Sequence, residues 1–404
     1  MGKKALEGVK VLDFGWVLAA PLATKQLAMY GATVIKVESS AHPDTVRLYA
    51  PNAGGIRGVN RCGAFAAYNN DKMSIALDLR KPKALEIVKK LVAWCDIVVE
   101  NFSPGYMERK GLGWENLKQI NPDVIMLSIS MQGQTGPRAL IPGFGGAFQA
   151  QVGIIELVGW PDQEPDTIPI AFTDHVLPWY AAFIAIAALE YRDRTGKGLH
   201  LDIGQYETGL NCLMPAALDY TVNGRIWTRG GNRLPYASPH GVYRCQGDDR
   251  WVAIAVFSDK EWHAFTRVIG EPEWTKSPKF STFLARKQNE DELDRLVESW
   301  TANHTAEDMM KIMQESGVAA GLVETNKDLH EDPQLAHRKH FVRLNHPEMG
   351  LCAYDESSFR LSKTPAKLKS PSPCLGEHTA YVCTEILGMS DEEFVQLSKE
   401  GVFE

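Results

Sequence analysis

Apolar and polar positions alternate in short blocks along the first third of the chain, and the blocks read as strands and helices in turn. Gly8–Phe14, Thr33–Glu38, Ser74–Leu79, Asp96–Glu100 and Asp123–Ser130 are short β-rich runs. Between them, Pro21–Tyr30 and Pro82–Cys95 carry helical spacing. The first has Pro in its opening turn and Gly31 just past its end, where a residue without a Cβ can take the left-handed turn that closes a helix. Alternation at this spacing predicts an α/β layered domain with a largely parallel sheet.

The middle of the chain predicts a long helix from His175 to about Arg194, stopped by Thr195-Gly196-Lys197-Gly198. A buried strand at Leu199–Ile203 and a helix from Tyr206 to about Val222 follow. From about Gly224 the pattern changes. A Gly/Pro/Asn-rich stretch (Gly230–Pro235) precedes strands at Gly241–Cys245 and Trp251–Val256 and charged helices at Asn289–Trp300 and Ala306–Ser316. These boundaries predict a large α/β domain over 1–223 and a smaller α+β domain over 224–322. A return through 323–404 ends in a helix at Asp391–Glu400.

The net charge of -7 argues against a nucleic-acid surface, since phosphate binding needs a basic face. The longest apolar run, Val176–Leu189, is short for a membrane span and reads as a buried core helix. No apolar segment follows Met1-Gly2-Lys3-Lys4-Ala5, so no secretory leader is expected. Seven widely spaced cysteines without a Cys-x-x-Cys fit reduced thiols in the cytoplasm better than disulfides or a metal site. The turn after the first strand, Gly15–Pro21, lacks Gly-x-Gly-x-x-Gly, and no Walker sequence occurs, so NAD and ATP are not indicated.

Several segments in order resemble the family III CoA-transferases, the formyl-CoA:oxalate and carnitine CoA-transferase group. They are Leu6–Phe14 with Pro21, Gly31–Glu38, Asn70–Leu79, Val99–Gly105 with Arg109, Asn121-Pro122, Gly133–Pro137, Thr195–Gly198 with Asp202, Leu375–Thr379 and Gly401–Phe403. The resemblance implies a Rossmann-like large domain built from both chain ends and a small domain between them. It also implies an interlocked dimer with a second transferase chain, identical or paralogous. Nothing is held permanently; coenzyme A thioesters are substrates, and no metal is expected.

The resemblance places the family's nucleophilic aspartate at Asp174, in Ala171-Phe172-Thr173-Asp174-His175. Taken locally, Asp174 is an ordinary helix N-cap. As a nucleophile it would form an acyl anhydride with a donor acyl-CoA and then an aspartyl-CoA thioester, splitting a hard exchange into easier steps. Contacts to CoA map to Trp16, Val17, Leu18 and Ala19, to Leu77, Asp78, Leu79 and Arg80, to Asn101, Phe102 and Ser103, and to Arg109. The two arginines are the natural phosphate partners.

The chain also departs from the oxalate-specific members. They carry Gln at Leu18, an acid at Gly145, a basic residue at Ser39 and a glycine-rich loop without a counterpart here. Leu18, Phe144, Phe148 and Trp16 would make a more apolar pocket. The look of the first 40 residues and this apolar pocket point to transfer from succinyl-CoA to an aryl-substituted dicarboxylate such as benzylsuccinate, with a carnitine-type or bile-acid-type acceptor left open. The rival of the same fold, an α-methylacyl-CoA racemase, needs a histidine that falls at Phe144, and phenylalanine cannot move a proton.

Overall fold

A computed structural model describes residues 4–404; Met1–Lys3, the first residues of the stretch in which no secretory leader is expected, lie outside them. The chain divides into two compact units. One takes in the residues up to Ile155, Thr167–Ile226 and Gln334–Glu404; the other is Glu156–Asp166 with Trp227–Pro333.

The large unit is a six-stranded sheet of β1 (Lys10–Asp13), β2 (Thr33–Glu38), β3 (Met73–Ala76), β4 (Ile97–Glu100), β5 (Ile125–Ser130) and β6 (Leu199–Gly204). The order is β3-β2-β1-β4-β5-β6, and every pair is parallel. Parallel strands need crossovers, and these put helices on both faces. On one face α1 (Ala19–Met29) and the long helix α4 (Phe172–Thr195) bury Ala23, Leu27, Leu177, Ala181 and Ala185 with Val11, Val99 and Leu127 of the sheet. On the other, α2 (Pro82–Trp94) buries Ile87 and Leu91 with Leu12, Ile35 and Val98, and the C-terminal Val382, Leu397 and Val402 join that layer. Both chain ends thus build this unit. All eleven residues of α1 are buried, because its small alanines let it lie flat on the strands.

Three elements differ from the sequence expectation. The strand Leu199–Gly204 is only half-buried, because it forms the edge of the sheet. The helix expected over 206–222 is two, α5 (Gln205–Asn211) and α6 (Met214–Asn223); Pro215 in the first turn of α6 has no N–H to continue the earlier helix. The run read as a buried core helix is buried on one side only. Trp179, Phe183 and Ile186 of α4 are exposed at helical spacing. At 24 residues α4 is long and apolar enough to cross a bilayer by length and composition, yet its Leu177–Leu189 face is packed on the sheet.

The second unit pairs β7 (His240–Arg244), β8 (Trp251–Ala255) and β9 (Ala319–Leu322) as an antiparallel sheet. Helices including α7 (Glu290–Thr301) and α8 (Ala306–Glu315) cover it, burying Leu293, Val297, Met309 and Met313 against Val252 and Ile254. It is α+β.

Candidate active site

The strand order reverses between β1 and β4, and in an open parallel sheet ligands bind outside the carboxyl ends of the strands at such a point. The loops leaving these two strands are tied together. Asn101, directly after β4, accepts from the Trp16 N–H at 2.8 Å and donates to the Trp16 carbonyl at 2.9 Å. Asp44 accepts from the next amide, Val17, at 2.9 Å. Val17 stands at φ 64°, a left-handed conformation that is strained for a β-branched residue and persists only when its surroundings hold it.

Those surroundings are a buried charge network. Lys36 pairs with Asp44 at 3.1 Å and donates to the Gly15 carbonyl. Lys72 donates to Asp13 at 2.9 Å, to the Pro21 carbonyl at 2.8 Å and to Asn69 at 2.9 Å. Arg47 grips Glu38 with both arms of its fork at 2.8 Å. Burial pulls the Lys72 ammonium down to about 8 against the opposing attraction of Asp13.

The Trp16–Ala19 loop lines a cleft of about 420 Å³. The cleft is lined by Trp16, Val17, Leu18 and Ala19, by Asn101, Phe102 and Ser103, and by Ile141–Gly145, together with Asp174 and Gln205. Asp174 is not a cap. The helix begins at Phe172, so Asp174 sits inside the first turn of α4, and Ala171, with no capping side chain, precedes it. Its Oδ1 accepts from Gln205 Nε2 at 2.6 Å. Burial raises the Asp174 pKa above the usual carboxylate range, while the Gln205 hydrogen bond and the nearby His175 act in the opposite direction. His175 Nδ1 is 2.9 Å from the Ala171 carbonyl, and its ring packs edge-on to Tyr68.

A second cleft of about 270 Å³ opens beside the first, with Trp16 and Phe102 belonging to both. Leu77, Asp78, Leu79 and Arg80 line it, together with His42, Tyr106 and Lys110. Arg80 holds Asp78 through Nε at 2.8 Å and Nη2 at 2.9 Å, which pulls that carboxyl down to about 2. Its Nη1 is 2.9 Å from His42. Trp16 and Phe102 meet edge-to-face at 5.7 Å on the ridge between the clefts.

The structure therefore brings together most of the residues singled out from the sequence. Two stand apart. Phe148 does not reach the cleft: α3 (Gly145–Val152) begins at Gly145, which turns Phe148 into the core against Tyr206. Arg109 is exposed on a short helical turn and lines neither cleft; its neighbour Lys110 does. Phe144 is at the cleft mouth and 68% exposed, and it offers no group that could carry a proton. Gln205, Lys110, His42 and Tyr106 carried no signal in the sequence. Among the described residues no group of three or more His, Cys, Asp or Glu could hold a metal.

The family model for CoA-transferase family III matches residues 6–379. This chain belongs to CoA-transferase family III. It is a CoA-transferase. It is 36% identical over 400 residues to the succinyl-CoA–D-citramalate CoA-transferase of Chloroflexus aurantiacus, covering 99% of this chain and 98% of that protein. It is 31% identical to the beta subunit of the succinyl-CoA–L-malate CoA-transferase of the same organism, covering 98% of each. The crystal structure of a CAIB/BAIF family protein from Brucella suis superposes with a TM-score of 0.87 at 33% identity, covering 95% of this chain and all of that one.

Proposed function

We propose that this CoA-transferase moves CoA from succinyl-CoA to a dicarboxylic acid, with Asp174 as the covalent carrier. The observation that carries the reading is the placement of Asp174. It is a partly desolvated carboxylate with one oxygen fixed by Gln205, in a cleft that shares Trp16 and Phe102 with a second cleft of about 270 Å³. A thioester is an activated acyl donor, so a positioned carboxylate suffices as nucleophile.

The adenine end of CoA would lie in the smaller cleft, among Leu77, Leu79 and Tyr106, with Arg80 and Lys110 facing its phosphates. The pantetheine arm would cross the ridge of Trp16 and Phe102 and bring the thioester to Asp174. Attack by Asp174 gives the anhydride and CoA thiolate. The thiolate then attacks the aspartyl carbonyl, succinate leaves, and the acceptor collects CoA by the reverse steps. Both C. aurantiacus relatives are named for succinyl-CoA and a dicarboxylate, which supports that substrate class. The apolar wall of Leu18, Ile141, Pro142 and Phe144 favours an acceptor with an apolar substituent, an aryl dicarboxylate such as benzylsuccinate among them. We assign the enzyme to the cytoplasm, where its seven free thiols stay reduced, and pair it with a second transferase chain, identical or paralogous.

The test is incubation with succinyl-CoA alone, followed by peptide mass spectrometry. A succinyl or CoA adduct on the Asp174 peptide, removed by hydroxylamine and absent from Asp174→Asn, is the expected result. Adduct elsewhere, or full activity of Asp174→Asn, sinks the proposal. A panel of malate, citramalate, glutarate and benzylsuccinate then identifies the acceptor.

A further inference from the structure

Gln205 opens α5 and is buried. Its Nε2 carries two hydrogens and has two acceptors, Thr173 Oγ1 at 2.9 Å and Asp174 Oδ1 at 2.6 Å. Thr173 is fully buried, so the amide is fixed in direction. The other carboxylate oxygen, Oδ2, lies against Gly145, where a Cβ would stand only 1.7 Å away. The two oxygens of Asp174 are therefore unlike. One is tied to a donor, and the other faces a position without a side chain.

We infer that Gln205 is a catalytic residue that keeps its hydrogen bond to Asp174 Oδ1 throughout turnover and stabilises the oxyanion formed there, so that only Oδ2 is exchanged. The inference rests on Asp174 being the acyl carrier. A lone pair of Oδ2 attacks the thioester carbonyl, the C–S bond breaks, and CoA leaves as thiolate, giving an anhydride bridged by Oδ2. The thiolate then attacks Cγ of Asp174. The carbonyl π pair moves onto Oδ1, opposite the Gln205 N–H. When that pair returns, the Cγ–Oδ2 bond breaks and Oδ2 departs in the carboxylate of succinate. The acceptor carboxylate next attacks Cγ through one oxygen, again placing charge on Oδ1, and expels the thiolate. The thiolate attacks the acceptor's acyl carbon, and Asp174 is restored with an acceptor oxygen in the Oδ2 place. Oδ1 never leaves Cγ. A neutral amide suits this work, because it remains a donor at every pH of interest and sits in place before charge develops.

The experiment is identity exchange between unlabelled succinyl-CoA and succinate carrying oxygen-18 in its carboxylates, followed by the mass of the Asp174 peptide. After many turnovers the wild-type enzyme takes up one labelled oxygen and no more. Gln205→Met, close in shape but without a donor, frees the carboxylate to rotate. It takes up two, with kcat lower by about 10²–10³-fold, as for loss of one oxyanion donor. Two labels in the wild type, only one in the variant, or a variant kcat unchanged, each overturns the inference. No label in a wild-type enzyme that exchanges succinate removes Asp174 as carrier, and the inference with it. Gln205→Asn, whose amide is too short to reach both oxygens, replaces the Met variant if that one does not melt cooperatively.

Discussion

Asp174 and Glu100 are both carboxyl groups lifted above their ordinary range by burial, and they stand on opposite sides of the chemistry. Asp174 must ionise to attack, and Gln205 and His175 offset part of its burial. Glu100 ends β4, and its Oε2 accepts from the Phe102 N–H at 2.8 Å, fixing the turn that carries Asn101 to Trp16. Burial pushes it from an ordinary 4.5 to about 7; Ser128 and the Phe102 N–H lower it, while Glu108 and Asp202 add to the rise. A raised folded-state pKa means that the folded protein holds the proton more tightly than the unfolded chain. The stabilisation is full below about 4.5 and fades as pH rises through about 7. Glu100→Gln, which cannot titrate, should flatten the fall in melting temperature between about pH 5 and 8. Melting curves of the two proteins across that range check it, and parallel pH profiles would refute the assignment. At this scale the sequence was only partly legible. Asp174 was found through resemblance, whereas Gln205, 31 positions away, meets it only after folding.

At the scale of elements, the strands and the two helices beside them were legible because each is a complete period of apolar residues. At the start of α4 the pattern misled. Phe172 and Thr173 enter α4 behind an alanine that caps nothing, so Asp174 took on the look of a cap. The helix at Gly145–Val152, which the pattern did not predict, turns Phe148 into the core, where the resemblance had put it in the pocket. The buried ions under the first loop were also invisible to composition, since Lys72 reads as a surface residue until β3 carries it to Asp13. Lys72→Met should cost about 3–5 kcal/mol, because it leaves Asp13 buried without its nearest cation. Arg80→Ala removes an ion pair whose arginine is 57% exposed and should leave the unfolding midpoint unchanged, while raising KM for the CoA thioester. Denaturant titration and steady-state kinetics on both variants separate the two kinds of charge. A Lys72→Met protein as stable as the wild type would contradict the role given to the network.

For the whole molecule, two helices of the large unit lack cover. The buried face of α4 is Leu177, Ala181, Ala185 and Ala188; the opposite face, Trp179, Phe183 and Ile186, is equally apolar and is exposed, Phe183 by 70%. A helix that is apolar all round ordinarily lies in an interior. In α6 no residue is buried, yet Met214, Leu218 and Val222 recur at four-residue spacing, and exposed Ile226 follows. Exposed apolar faces of this kind are what a contact with another chain would cover, which supports the proposed second transferase chain. The enzyme should run at the mass of two chains in sedimentation at micromolar concentration. Phe183→Glu places a charge in the middle of that face and should weaken association by at least about 30-fold, the effect of losing one central anchor. A wild-type protein that sediments as one chain, with Phe183→Glu unchanged, would mean that no identical copy covers these helices. Recovery of the two-chain mass on adding a paralogous transferase subunit would then identify the heteromeric form. Only in that case would activity depend on the second polypeptide, so one titration of kcat against added subunit decides which assembly works.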